Sequence, residues 1–295
     1  MAQVRIRELR IAVGSGLVLA GDAWGEPDAP PVLLLHGGGQ TRHAWGDTAK
    51  RLAQSGFYAL ALDLRGHGDS DWCADGNYYP DHYVDDLRGV MQTFDTPPAL
   101  VGASLGGMIS LLCEGEKHPG SARALVLVDV TPRIEREGVD RTVAFMTSCP
   151  EGFASLEEAA DVVAEYLPHR RRPQSLDGLK RNLRRGDDGR YRWHWDPQFL
   201  ERAAGGDEQE RKQWPERLDR ASRRLTIPTL LVRGKLSDIV SEQGAKHFLE
   251  LVPHAEFLDV DDAAHMVAGD KNDIFGDAIV EFLARNALHS NSSAA

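Results

Sequence analysis

The run Val101-Gly102-Ala103-Ser104-Leu105-Gly106-Gly107 constrains this chain more than any other stretch. Ahead of it, Pro98-Ala99-Leu100-Val101 is a short apolar segment of buried-strand character, and Met108-Ile109-Ser110-Leu111-Leu112-Cys113 behind it continues as a helix. A chain that passes from strand to helix within about one residue holds Ser104 in a strained backbone conformation. Side chains at positions 102 and 106 would collide where the two arms cross, and Gly107 lets the helix pack closely on the sheet. Such a turn pushes the Ser104 hydroxyl outward and aims the amide of Leu105, at a helix N-terminus, at the same space. A glycine-containing corner without chemistry is the alternative, so the rest of the chain has to supply a base, an acid and a second amide donor.

A chain of 295 residues with 42% hydrophobic content can bury a large core, as one large domain or two small ones. The formal net charge of −11 argues against general affinity for nucleic acid or anionic membrane. No apolar run reaches the roughly 18 residues that a bilayer span needs. Arg5, Arg7 and Arg10 ahead of Ile11 to Ala20 loosely imitate a signal peptide, but Gly14-Ser15-Gly16 breaks that stretch with turn residues. Val4-Ile6-Leu9-Ile11-Val13 before the break and Leu17-Leu19 after it read as a hairpin. Cys73, Cys113 and Cys149 show no zinc-ligand spacing, and an odd number argues against a closed disulfide set. These features describe a soluble, cytoplasmic protein.

Val32-Leu33-Leu34-Leu35 is a strand buried on both faces, and it runs into His36-Gly37-Gly38-Gly39. A helix over Ala44 to Ser55 follows, closed by Gly56, then a strand over Phe57 to Leu62. Helices over Asp81 to Phe94 and Leu105 to His118 flank the Ser104 strand, and Ala124 to Val130 is the next strand. This alternation specifies an α/β fold with a mostly parallel sheet covered on both faces. The rhythm stops from Arg133 to about Arg224, where helices over Val139 to Thr147, Ser155 to Leu167, Ser175 to Arg185 and Glu208 to Arg223 occur without a convincing buried strand. So long a block is an inserted helical cap. Alternation resumes with strands at Ile227 to Arg233 and Ala255 to Val260 and helices at Glu242 to Val252 and Asn272 to Ala287. The expected organisation is a core of residues 1–132 and 225–288, a cap of residues 133–224, and a disordered polar tail of residues 289–295.

Residues at the carboxyl ends of parallel strands gather along one edge, where ligands bind. Ser104, the His36-Gly37-Gly38 turn, Asp238 and His265 all fall there, in the linear order serine, aspartate, histidine. Serine is a weak nucleophile at neutral pH. It needs a base such as His265 to take its proton, an acid to orient the ring, and amides to hold the developing oxyanion, here Gly38 and Leu105. Asp238 is the preferred acid. Asp129, at the end of the Leu125 to Val128 strand, is the alternative, and Asp261 and Asp262 would have to fold back.

With these pieces the sequence resembles the α/β-hydrolase superfamily over about Val32 to Phe282. The resemblance rests on His36-Gly37-Gly38-Gly39, Asp63-Leu64-Arg65-Gly66-His67-Gly68-Asp69-Ser70, Gly102 to Gly107, Arg233-Gly234-Lys235-Leu236-Ser237-Asp238 and Ala264-His265-Met266-Val267. It implies an α/β-hydrolase fold of about eight strands with an inserted cap. The pattern looks like the capped group of esterases, lactonases, carbon–carbon bond hydrolases, cofactor-free haloperoxidase-like perhydrolases and epoxide hydrolases. Epoxide hydrolases and haloalkane dehalogenases of this fold carry aspartate at the nucleophile position. Ser104 stands there in this chain, against an intermediate on a carboxylate.

The expected activity is hydrolysis of a small or medium carboxylic ester or lactone through an acyl-enzyme, with no cofactor and no metal. Carbon–carbon hydrolysis, thioester hydrolysis and perhydrolysis use the same residues, and a ligand receptor on the same fold is the rival from another class. The partner is a small ester-like molecule, with a homodimer left open. His36, Asp63 and Arg65 read as turn architecture. In the cap, Trp193 and Trp195 either pack internally or line an acyl pocket with Trp45, Phe145 and Met146. Arg170-Arg171-Arg172 reads as a solvated face, and the alternative is that, with Arg181, Arg184 and Arg185, it attracts an anionic substrate.

Overall fold

A computed structural model of the chain describes residues 5–166, 176–205, 208–261, 263–265 and 272–288. β1 (Arg7–Ala12) and β2 (Val18–Trp24) form the hairpin, turning at Gly16 with φ +82°. β3 (Pro31–Leu35) and β4 (Tyr58–Leu62) enclose α1 (Gly46–Gln54), which enters through a 3-10 turn at Arg42–Trp45 and ends at Gly56, φ +91°, where a left-handed residue suits glycine. α2 (Pro80–Met91) opens on proline, which has no amide to leave unsatisfied there. β5 (Ala99–Ala103) leads into α3 (Leu105–Leu112), which runs on through a π-helical turn at Cys113–Lys117. β6 (Ala124–Val128) follows.

The insert holds α4 (Arg136–Thr147), α5 (Leu156–Tyr166), α6 (Asp177–Lys180), β7 (Leu183–Arg185), β8 (Tyr191–Trp193) and α7 (Pro197–Gly205), and the chain then passes into α8 (Glu208–Ser222). The alternation closes with β9 (Thr229–Gly234), α9 (Glu242–Leu251), β10 (Glu256–Val260) and α10 (Gly276–Asn286).

An 8-stranded sheet has the order β1-β2-β4-β3-β5-β6-β9-β10, with β2 antiparallel to both its neighbours and the remaining pairs parallel. Period-two alternation sorts its side chains. Leu33, Leu35, Leu100, Leu125, Leu127 and Leu231 face α2, α3, α8 and α9, while Val32, Leu34, Val101, Val126, Val128 and Val232 face α1 and α10. Burial on both faces is why these strands read as unbroken apolar runs. The chain leaves β3 for β4 on one side and returns to β5 on the other. That reversal opens a crevice beyond the carboxyl ends of β3 and β5.

The insert departs from the all-helical expectation. The helix predicted over Ser175 to Arg185 is a single turn, α6, followed by a strand, and β7 pairs with β8 as an antiparallel hairpin. Gly189 at φ +79° and Asp188, whose carboxylate accepts the amide of Arg190 at 3.1 Å, make its turn, and Tyr191 and Trp193 are residues that favour strands. α7 is also additional to the prediction. Its start is written in Asp196-Pro197, the Asp196 side chain accepting the amide of Gln198 at 3.0 Å. The sequence groups the α8 segment with the cap, but this helix packs against α3 and α9 and buries Leu218 and Ala221 in the layer flanking the sheet. The Arg170 to Arg172 cluster, Met266, Val267 and the tail of residues 289–295 lie outside the described residues.

Candidate active site

Ser104 occupies the joint between β5 and α3 with φ +45° and ψ −111°, the strained turn that its glycine flanks predict. A β-carbon at Gly102 would overlap the backbone of Gly106 and Gly107, and one at Gly106 would lie 2.5 Å from the carbonyl oxygen of Leu35. Both positions therefore admit glycine alone. β5 pairs with β6 so that Ala103 stands beside Val128, which places Ser104 beside Asp129 at the ends of adjacent strands. The ladder continues past both strands: Ser104 N–H donates to Val128 O at 3.1 Å, and Asp129 N–H to Val232 O at 2.7 Å.

Asp129, not Asp238, is the carboxylate against the histidine. Its backbone is left-handed, φ +49°, and its Oδ2 accepts from His265 Nδ1 at 2.7 Å, with both residues buried. Asp238 instead pairs with Arg141 of α4 at 2.7 Å on a partly exposed surface, tying the β9–α9 loop to the insert. The acid expected at Asp238 is thus corrected to the stated alternative, Asp129. A carboxylate accepts, so the proton between the pair lies on Nδ1, and in that tautomer Nε2 carries the lone pair that a base needs. Asp261 is held by Lys235 at 2.6 Å.

The second glycine turn lies across the crevice. A β-carbon at Gly37 would stand 3.4 Å from the β-carbon of Ser104. Gly37 N–H donates to Gln40 Oε1 at 2.9 Å and Gly39 N–H to His67 Nε2 at 3.2 Å, so the amides on either side of Gly38 are committed. His36 does not reach toward chemistry. Its Nδ1–H donates to Gly37 O at 2.7 Å and its Nε2 accepts Leu64 N–H at 3.0 Å, stapling this turn to the next.

Two further histidines repeat the device. His67 donates from Nδ1 to Arg65 O at 3.0 Å, and His194 of the insert accepts Gly68 N–H at 2.7 Å while facing Gly39 O at 3.3 Å. Burial holds the three rings neutral, pushing His36 down to about 4, His67 to about 3 and His194 well below its ordinary value. Every nitrogen of the three is spent on backbone. Among the described residues no group of three or more histidine, cysteine or acidic side chains could hold a metal ion. Asp63 accepts the amides of Arg42 and Asp69 at 2.6 and 2.9 Å, and Arg65 pairs in two-pronged fashion with the buried Asp86 at 2.5 and 2.7 Å. Both serve the turn.

Of the predicted pocket residues, Trp45 is elsewhere. It is fully buried in the core beneath α1 and α10, with Trp24 and Phe275, because the 3-10 turn that follows the glycines carries its ring under the sheet. Phe145, Met146, Trp193 and Trp195 share a cluster in the insert, where the two indoles stack at 4.9 Å. That cluster roofs the glycine turn. A β-carbon at Gly39 would meet Met146 Cε at 2.7 Å and Trp195 at 3.3 Å, and one at Gly38 would meet the ring of Phe199 at 3.3 Å. Phe199 had no spacing signal, since its place depends on α7 starting at Pro197. Arg184 donates to Gly68 O and lies over Trp72, and Arg185 lies over Tyr191, so both are structural ties.

The sequence pattern of the alpha/beta hydrolase fold family matches residues 30–271. The chain is 33% identical over 259 residues to the esterase Rv0045c of Mycobacterium tuberculosis, covering 84% of this chain and 80% of that protein. It is 30% identical over 258 residues to the 2-(acetamidomethylene)succinate hydrolase of Mesorhizobium japonicum, covering 86% and 88%. The crystal structure of an alpha/beta hydrolase from Novosphingobium aromaticivorans superposes with a TM-score of 0.77 at 30% identity, over 97% of this chain and 99% of the other. A strained serine beside a buried carboxylate–histidine pair, on a sheet of this order and with relatives of this kind, leaves one conclusion: the chain belongs to the alpha/beta hydrolase family and is one of its enzymes.

Proposed function

We propose that this protein is a serine hydrolase that cleaves small or medium carboxylic esters, lactones among them, through an acyl-enzyme on Ser104. The observation that carries the reading is the convergence of Ser104 and the Asp129–His265 pair at the ends of β5, β6 and β10. Ser104 Oγ attacks the acyl carbon while His265 Nε2 takes its proton. Asp129 holds the ring by its Nδ1–H and stabilises the imidazolium. The oxygen that gains the charge accepts from the amides of Leu105, first in α3, and Gly38, a pair whose loss typically costs about 100- to 1000-fold in turnover per donor. His265 then returns its proton to the leaving alcohol, and water enters by the reverse path to release the acid.

The aromatic roof supports an acyl group that is apolar and of modest size. Phe199, Met146 and Trp195 lie against Gly38 and Gly39, and the insert is bolted at that point by Tyr78 OH donating to Asp196 at 2.6 Å and by His194. The insert acts in this reading as a cap with a fixed floor. Purified wild type, Ser104→Ala and His265→Ala assayed on p-nitrophenyl esters of rising chain length test the proposal. Wild type turns over short and medium esters and both variants lose activity while staying folded. Variants that keep wild-type rates would refute it. Thioester, lactone and peroxide arms of the same assay separate the related chemistries.

A further inference from the structure

The loop joining β9 to α9, where the sequence places the acid at Asp238, serves the histidine in another way. Ser237 Oγ donates to Asp129 Oδ2 at 2.7 Å, the same oxygen that accepts from His265 Nδ1 at 2.7 Å. The acceptor side of that hydroxyl is engaged by the amides of Ile239 and Val240 at 3.2 and 3.1 Å. A hydroxyl has one hydrogen, and with two N–H groups on its lone pairs that hydrogen belongs to the carboxylate. Gly234 N–H donates to the other oxygen, Oδ1, at 3.3 Å. Between them, Lys235 N–H and Leu236 N–H donate to Val260 O and Ala263 O at 3.0 and 2.9 Å, fixing the segment that ends in His265. Four consecutive residues therefore hold both members of the pair.

The geometry points to Ser237 as a positioning residue for Asp129 and His265: its hydroxyl locks the carboxylate rotamer and shares the oxygen on which the imidazole rests. This rests on the reading of Ser104, His265 and Asp129 as the catalytic set. The terminal torsion of an aspartate is broad, so an orientation this specific has to come from the donors around it. Removing the hydroxyl has two consequences. The carboxylate rotates off Nδ1 part of the time, which lowers turnover. Where the pair still forms, charge on Oδ2 that Ser237 had drawn off is available to the imidazolium, so His265 becomes more basic and the acid limb of activity moves to higher pH. Charged groups of the neighbouring loops are matched among themselves, Arg233 with Asp259, Lys235 with Asp261 and Arg141 with Asp238, and the substitution leaves them in place.

The test assays Ser237→Ala, Ser237→Thr, Ser237→Cys, Asp129→Asn and Asp238→Asn on an activated ester from pH 5 to 9. Ser237→Ala is expected to lower kcat by about 10-fold, the scale of one hydrogen bond to a charged group. Its KM should be unchanged and the acid limb of kcat/KM displaced upward. Ser237→Thr keeps the hydroxyl and restores the wild-type profile, and Asp238→Asn matches wild type. Asp129→Asn inactive beside a Ser237→Ala enzyme with wild-type kcat and acid limb would overturn the inference. So would a loss in Ser237→Ala that leaves the acid limb in place and is not rescued by threonine. Should Ser237→Ala fail to fold, Ser237→Cys, with a weaker donor, must show the same displacement in smaller degree, and a wild-type profile there refutes the role. Asp129→Asn at the wild-type rate would instead overturn the catalytic set itself.

Discussion

His36, His67 and His194 lie buried and neutral, each with one ring nitrogen donating and the other accepting, so a proton can enter only by breaking a bond to the backbone. An unfolded histidine takes its proton at 6.5, whereas the folded values are pushed by burial to about 4 for His36 and about 3 for His67. The unfolded chain therefore binds the extra protons. The stabilisation is complete above pH 6.5 and is lost as the pH falls toward the folded values. Integrating the difference in bound protons from pH 8 to pH 5 gives about 2 kcal/mol for each of these two residues. His194, depressed by burial beside the other two rings, acts in the same direction. Glu114, whose carboxyl burial pushes up, works in the opposite sense and trims the sum. A loss of about 4 kcal/mol is a large share of the stability of an ordinary domain. Urea unfolding at pH 8, 6.5 and 5 measures it, with His67→Gln as the internal reference. His36 and His67 together should cost the wild type about 4 kcal/mol between pH 8 and pH 5, with His43 and His194 adding to that loss and Glu114 subtracting from it, and the variant, whatever its starting stability, should lose about 2 kcal/mol less than the wild type. Equal stability at pH 8 and 5, or a variant with the wild-type slope, would refute the argument.

Other substitutions probe the remaining parts. Asp129→Asn should cut kcat on activated esters by about 10,000-fold, as loss of the orienting carboxylate does in serine hydrolases, while Asp238→Asn leaves it within twofold, read by steady-state kinetics (~2-fold tolerance). Gly102→Ala and Gly106→Ala should abolish folding or turnover, since a β-carbon at either position meets backbone rather than a movable side chain, and soluble expression with circular dichroism checks this. Arg65→Leu leaves the buried Asp86 without its partner, and urea unfolding should show a loss of about 3–5 kcal/mol. Phe199→Ala should raise KM for medium-chain esters more than for acetate esters, because it removes the ring above Gly38.

Much of the fold is legible because its signals are local. Unbroken apolar runs such as Val32 to Leu35 and Ala124 to Val128 mark strands buried on both faces, and glycine flanks mark the Ser104 turn. The acid is harder to assign, because Asp129 and Asp238 follow neighbouring strands, β6 and β9, and sequence order cannot say which carboxylate turns toward His265. A left-handed backbone at Asp129 and the pull of Arg141 on Asp238 decide it, and both are tertiary facts. Trp45 illustrates the same limit. It lies close to the glycine turn in sequence, yet one 3-10 turn carries it to the far side of the sheet. Within the insert, the hairpin of β7 and β8 is hard to read because each strand has 3 residues and only Leu183 and Trp193 are buried, so no apolar run marks either one. Ser237 carries no signal of its own, since its part appears when Asp129 rather than Asp238 faces the histidine.

The central claim is that Ser104 is an activated nucleophile. Intact-mass analysis after incubation with a fluorophosphonate, wild type beside Ser104→Ala and Asp129→Asn, tests it without a choice of substrate. The account predicts one adduct per chain on the wild type, none on Ser104→Ala, and slow labelling of Asp129→Asn. An unlabelled wild type that is folded, or an adduct that persists in Ser104→Ala, would contradict it.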